Sequence, residues 1–281
     1  SADLTGSNNT RWNGAAEDRH MSYGVREFAM TAISNGIHLH GGYRPFTGTF
    51  LIFMEYARNA VRLAALMRTP NIFVYTHDSV AVGEDGPTHQ PIEQLSNLRS
   101  TPNLFTWRPC DTVESAVAWK SAVGSRTAPT ALIFTRQKTQ AQPRDEQTFN
   151  NIQRGGYTLL DSAGEPQAVI IATGSEVEIA VAAAHKLAAE GLLVRVVSMP
   201  CVEVFSAQDP DYQCQVLPPS VRARVAVEAA HPDLWYKFVG LDGAVVGIDR
   251  YGLSAPGDQA LEACGITVDA VVQATRQVVV G

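Results

Sequence analysis

The chain reads as an α/β protein of two domains, each a mostly parallel sheet flanked by helices. Three observations carry that reading. Short apolar runs, among them NIFVY (71–75), TALIFTR (130–136), QAVIIATG (167–174) and RARVAVEA (222–229), alternate with stretches of helical periodicity, as parallel strands joined by right-handed crossovers do. Residues 138–154 (KTQAQPRDEQTFNNIQR) hold few apolar residues and much Gln, Asn and charge, and so read as a linker between two such series. The polar stretch YTHDSVAVGEDGPTHQPIEQ (75–94) begins where NIFVY ends, and binding groups in α/β proteins gather on loops at the carboxyl ends of strands.

Taken in order, residues 1–20 are polar and turn-rich. From Tyr23 to Asn35, Val25, Phe28, Ala29, Ala32 and Ile33 fall on one helical stripe, with Gly36 as the expected C-cap. Gly41-Gly42 and Pro45 mark a loop, and Thr49 to Met67 reads as one long helical stretch. After strand 71–75 a helix resumes at Ile92-Glu93-Gln94-Leu95. LFTWRP (104–109) is a strand, Thr112 to Val123 a helix, and 130–136 a strand. In the second series, strand 167–174 leads through ATGSE into a helix that Ser175 caps and Gly191 closes. LLVRVVSMP (192–200), 222–229 and AVVGI (244–248) are further strands, and a last helix lies near 267–280. No repeat occurs at solenoid or propeller spacing.

The bulk numbers narrow the function. A chain of 281 residues, 45% apolar and 18% charged, has ample material for a core. A net charge of −6 argues against non-specific nucleic-acid binding but leaves room for an anionic small substrate met by a few focused cations. Cys110, Cys201, Cys214 and Cys264 are far apart with no CxxC pair, which reads as reduced cytoplasmic thiols and not as a disulfide framework or metal site. No apolar run approaches the roughly 20 residues that span a bilayer.

The residues of the central loop point to acid–base work. His89 suits a general acid/base at neutral pH, and Asp85 suits a hydroxyl contact or an imidazole partner; the same composition also fits a solvated loop with capping acids. The whole string is more specific. THDS followed by GEDGPTHQP resembles the pyrimidine-binding domain of transketolase, a thiamine diphosphate enzyme that moves two-carbon ketol units between sugar phosphates in the pentose phosphate pathway. The resemblance runs from SADL at the start through VAVEAAHPDLWYKFVG to the last helix. It implies a pyrimidine-binding domain over 1–145 and the transketolase C-terminal domain over 155–281.

The resemblance also implies roles. Glu27, in YGVREF, would hydrogen-bond the aminopyrimidine ring of thiamine diphosphate and share its proton, which requires partial desolvation; periodicity alone puts Glu27 off the apolar stripe, as a surface residue beside Arg26. Phe50, Phe53 and Tyr56, in TFLIFMEYA, would line the pocket for that ring, although an aromatic stripe is also ordinary core. Asp3 and Leu4 match a segment near the thiazolium. On the substrate side His89 would sit over the reacting carbon, Asp85 would contact a sugar hydroxyl, and His77, Ser7 and Arg136 would hold the phosphate, for which the guanidinium fork is suited. ATGSE (172–176) is one glycine in a tight strand-to-helix turn and is assigned no chemistry.

Such enzymes hold the diphosphate and its Mg2+ (or Ca2+) on a separate N-terminal domain, through a Gly-Asp-Gly motif that this sequence lacks. Glu84-Asp85-Gly86 and Asp242-Gly243 have a different context. The expectation is therefore a fragment or one subunit of a split enzyme, inactive alone, whose partners are that N-terminal domain, a second copy in a homodimer, and the ketose and aldose phosphates. Rival readings are another thiamine diphosphate enzyme of this architecture, such as deoxyxylulose phosphate synthase, dihydroxyacetone synthase or a two-oxoacid dehydrogenase beta subunit, and a non-catalytic dimerisation or regulatory module.

Overall fold

The computed structural model describes residues 20–280. The first sheet contains β1 (Phe46–Phe50), β2 (Ile72–Thr76), β3 (Phe105–Trp107) and β4 (Thr130–Ile133), ordered β1-β2-β4-β3 with every pair parallel. Side chains alternate across the pleat. Phe73 and Tyr75 pack under the helices α2 (Met54–Met67) and α3 (Gln94–Arg99), while Ile72 and Val74 pack under α4 (Thr112–Gly124). A strand covered on both faces has no polar side, which is why NIFVY reads as an unbroken apolar run.

Two elements differ from the sequence reading. The stretch 49–67 is not one helix: β1 occupies 46–50, a 3₁₀ turn spans Leu51–Phe53, and only then does α2 begin. In α1 (Glu27–His40) the helix continues past Gly36 and ends at Gly41, whose φ is 89°. Its buried face is also not the apolar stripe. Met30, Thr31, Ser34 and Asn35 face inward, whereas Val25, Phe28 and Ile33 are 83%, 50% and 42% exposed. Asn35 is tied down on that face: it donates through Nδ2 to the Ala60 carbonyl at 2.9 Å, and its Oδ1 accepts from Asn71 at 2.6 Å, while the Thr31 and Ser34 hydroxyls are buried without a hydrogen-bond partner among the described residues. The apolar stripe of α1 thus faces away from this chain's own core.

The linker carries more structure than its composition suggests. It contains the helix α5 (Glu146–Asn151), and Arg144 is buried against Asp111 at 2.6 Å and the Tyr157 hydroxyl at 2.9 Å. That hydroxyl donates in turn to Glu114. The second sheet adds a strand absent from the sequence reading, β5 (Tyr157–Leu160), antiparallel at its edge. With β6 (Ala168–Ala172), β7 (Val194–Ser198), β8 (Arg224–Val227) and β9 (Ala244–Val246) the order is β5-β7-β6-β8-β9. Helix α6 (Glu176–Ala189) covers one face, the short α7 (Val202–Ser206), α8 (Pro210–Val216) and α9 (Tyr236–Val239) the other. Helix α10 (Gly257–Ala263) lies against residues 80–82, and α11 (Val268–Val280) joins α6.

Candidate active site

Register assembles the site. Phe50 pairs with Thr76, and Tyr75 with Ile133, so the carboxyl ends of β1, β2 and β4 lie side by side. The chain crosses from β2 to the far edge at β3 and returns to β4 between them, and this reversal opens a crevice at the ends of β2 and β4, where open α/β sheets take ligands. Phe50 closes β1, His77 follows β2, and Arg136 lies three residues past β4.

The rings form a continuous strip. His77 stacks on Phe50 with centroids 3.7 Å apart and planes 14° apart. Phe50 and Phe53 stand 5.9 Å apart and nearly parallel, Phe53 meets Tyr56 at 6.2 Å, and His89 approaches Phe53 edge-on at 5.3 Å. These residues are not a helical i, i+3, i+6 face: one closes a strand, one sits in the 3₁₀ turn and one in the first turn of α2. The strip is functional surface as much as core, since Tyr56 is 69% exposed.

The polar groups divide into those with spare bonding capacity and those without. His77 adopts φ 61°, a left-handed conformation that non-glycine residues hold only when their surroundings over-determine it. Its Nδ1 is 2.9 Å from Thr76 Oγ1. Burial pushes its ring below the ordinary histidine range and the Arg136 charge adds to this, against opposing pulls from Asp78 and Asp85. His89 holds Nδ1 2.9 Å from Thr88 Oγ1, and its amide donates to Gly86. Arg136 is exposed and makes no ion pair among the described residues. Glu27, half-buried on the first turn of α1, also has no hydrogen-bond or ion-pair partner there. It makes no ring or hydrogen-bond contact with the strip. Asp3, Leu4 and Ser7 lie outside the described residues.

Behind the loop the charged groups are paired with one another, although Asp78 Oδ1, Arg108 Nη2, Arg99 Nε and Gln90 Oε1 are buried without a hydrogen-bond partner among the described residues. Asp78 accepts from Arg108 Nε at 2.9 Å, and Arg108 also pairs with Glu176 and, at 3.2 Å, with Glu228. Glu228 takes a two-pronged bond from Arg99 and the indole N–H of Trp235. Burial pushes the Glu176 carboxyl up. Burial would do the same to Glu228, but the guanidiniums of Arg99 and Arg108 overcome it and hold that carboxyl below its usual range. Gln90 donates through Nε2 to the carbonyls of Val80, Gly83 and Leu253. Arg108 and Gln90 have no role in the sequence reading. The local hint is the polar company of Asp78 in THDS, while the partners of Arg108 are 30, 68 and 120 residues away.

ATGSE holds this arginine. Gly174, at φ 57°, donates its amide to the Arg108 carbonyl, and a Cβ there would lie 2.7 Å from the guanidinium carbon. Ser175 does not cap α6 with its side chain; its hydroxyl donates to Glu176 instead.

A strip of rings with two histidines in it, and an arginine without an ion pair among the described residues close enough to act on His77, suits a flat heteroaromatic group together with an anionic substrate. The residues present fit the aminopyrimidine end of thiamine diphosphate. Fold and site together define an α/β protein whose rings and histidines gather at the carboxyl edge of its first sheet. Residues 1–142 match the family profile described as "Transketolase, pyrimidine binding domain", and residues 155–267 match "Transketolase-like TK C-terminal domain". Transketolase 1 of Escherichia coli is 58% identical over 283 residues, covering 99% of this chain and 43% of that protein. Among solved structures, transketolase from Leishmania mexicana superposes with TM-score 0.89 at 46% identity, covering 94% of this chain and 38% of that one. A Pichia stipitis transketolase mutant described as a complex with xylulose 5-phosphate gives TM-score 0.89 at 38% identity, covering 99% and 42%. The chain belongs to the transketolase family, and it spans less than half the length of these relatives.

Proposed function

We propose that this chain forms one wall of a thiamine diphosphate-dependent active site that transfers a two-carbon ketol unit from a ketose phosphate to an aldose phosphate, in the cytoplasmic pentose phosphate pathway. The observation that carries this reading is the strip His77–Phe50–Phe53–His89 at the carboxyl edge of the first sheet. Residues 1–145 serve as the pyrimidine-binding domain and 155–281 as the C-terminal domain. A separate N-terminal domain holds the diphosphate and its Mg2+ (or Ca2+).

When bound, the cofactor supplies the electron sink for carbon–carbon bond cleavage and formation. The chain's own residues do the rest. Phe50, Phe53 and Tyr56 exclude water from the ring face and fix its plane. Glu27 would hold a proton at a ring nitrogen, and Asp3 and Leu4, which lie outside the described residues, would contribute on the thiazolium side. His89 moves a proton at the substrate hydroxyl over the reacting carbon, within reach of Phe53's edge. Asp85 orients a neighbouring hydroxyl. His77 donates one hydrogen bond to the phosphate, Arg136 meets it with charge, and Ser7 adds a hydroxyl.

The outward apolar stripe of α1 supports a homodimer. Phe28, Ile33 and Leu39 on α1, with Val25 just before it, are exposed apolar side chains, and a second copy would cover them. The test is titration calorimetry with thiamine diphosphate and magnesium paired with a ketol-transfer assay, on this chain alone and after addition of a diphosphate-binding domain. Turnover only after addition is the expected result. Turnover by the chain alone would overturn the division of labour, and no turnover in either case would overturn the function.

A further inference from the structure

We propose that the second sheet is a positioning device for the candidate catalytic loop, with Arg108 as its pin and Asp78 as its handle on His77. The inference rests on the reading of His77 as a phosphate-binding residue. Arg108 follows β3 of the first sheet, yet the second sheet holds it. Its amide donates to Pro200 beyond β7, its carbonyl accepts from Gly174 and from Thr173 Oγ1 beyond β6, and its guanidinium reaches the Thr173 carbonyl, Glu176 and Glu228, which follows β8. Three strand ends of the second sheet thus converge on one residue of the first, the β7 end on its backbone amide, the β6 end on its carbonyl and guanidinium, and the β8 end on its guanidinium. The crevice where that sheet would otherwise take a ligand is filled from within the chain.

Arg108 spends its Nε on Asp78, whose carboxylate is buried and adjoins the left-handed His77. A residue at φ 61° needs its neighbours fixed, or it relaxes to an unstrained conformation and carries its ring away. Asp78 supplies the fixed point on one side, the Phe50 stack on the other. The far part of the loop is gripped as well: Gln90 reaches the Leu253 carbonyl, Ser254 donates to the Glu84 carbonyl, and Gly257 lies so close that a Cβ would meet the Ala81 carbonyl at 2.7 Å. The loop is held from behind by the second half of the chain while His77, Asp85 and His89 face the crevice.

The test uses the complete enzyme and two acceptors, an aldose phosphate and the unphosphorylated glycolaldehyde. Asp78→Asn keeps an acceptor for Arg108 Nε but weakens the tether, and Arg108 retains Glu176 and Glu228, so the fold survives. The expected result is a rise of about tenfold in KM for the aldose phosphate, a modest displacement effect on a scale where a 1 Å misplacement costs about a hundredfold. Turnover and the KM for glycolaldehyde stay near wild type. In a His77→Ala background Asp78→Asn adds nothing further, as expected for two residues acting as one unit. Should Asp78→Asn fail to fold, Arg108→Lys, which keeps the charge and loses the Nε bond, is expected to show the same split. Equal losses on both acceptors, or an additive loss in the His77→Ala background, overturn the positioning role and leave the reading of His77 intact. If His77→Ala itself shows no selectivity for the phosphorylated acceptor, the reading of His77 falls, and this inference with it.

Discussion

Two loops occupy the same topological place and do opposite things. The loop after β2 carries His77, Asp85 and His89; the turn after β6 carries Thr173, Gly174 and Ser175. Both leave the carboxyl end of a central parallel strand, the usual location for ligands in such sheets. In the first, the groups facing the crevice have unused bonding capacity, and Glu27 and Arg136 have no partner among the described residues. In the second, the Gly174 amide, the Thr173 hydroxyl and the Glu176 carboxylate are all taken up by Arg108. Sheet topology marks both places as possible sites. What separates them is that the second place is already filled by an ion-paired side chain of the same chain.

The largest effect separates the loops by chemistry. Replacing His89 with alanine in the complete enzyme is expected to lower turnover by about 10²–10⁴-fold, the usual contribution of a positioned general acid/base, with steady-state kinetics as the measurement. Near-normal turnover would remove the assignment of the first loop. Next comes Arg108→Met, which strands buried carboxylates in the second crevice and is expected to cost about 3–5 kcal/mol of stability, read from denaturant unfolding. A loss below about 1 kcal/mol would mean that the second crevice is not sealed by charge pairing.

A smaller effect sharpens the same contrast with two left-handed glycines. Gly174→Ala must place a Cβ against Arg108, whereas at Gly191, φ 86°, nothing lies within 4 Å. Both substitutions bear the left-handed backbone cost of about 1–2 kcal/mol, and only Gly174→Ala adds the clash. Equal losses by thermal unfolding would show that the turn gives way easily. The smallest effect is in pH. Because the folded state lowers the His77 pKa, the unfolded chain binds its proton first on acidification. The His77 contribution to stability is then complete above about pH 6.5 and is lost as pH falls through the lower, folded value. An NMR titration of the ring is expected to move upward in Arg136→Ala; an unchanged midpoint would show that burial alone sets it.

The strands that carry the site were legible because β2 and β6 are covered on both faces and so read as continuous apolar runs. β1 was not, because FTGTF runs without a break into LIFMEYA, and no local residue marks the change from period 2 to period 3.6 at Leu51. For the same reason Phe50, Phe53 and Tyr56 do not share the single helical face that their spacing suggests. The face of α1 was inverted because apolar periodicity reports which side is covered, not by what: Asn35 and Ser34 turn inward to meet α2, and the apolar side is left for another surface.

By itself the sequence determined the alternation of strands and helices and the family, both of them properties of residues near one another in the chain. Tertiary structure alone decided which face of α1 is buried, that β1 is a strand, and that a strand-to-helix turn is plugged by Arg108. The reason is physical. The Arg108 pairs join residues 30, 68 and 120 positions apart, and a buried charge is tolerated only where folding has brought its partners to it.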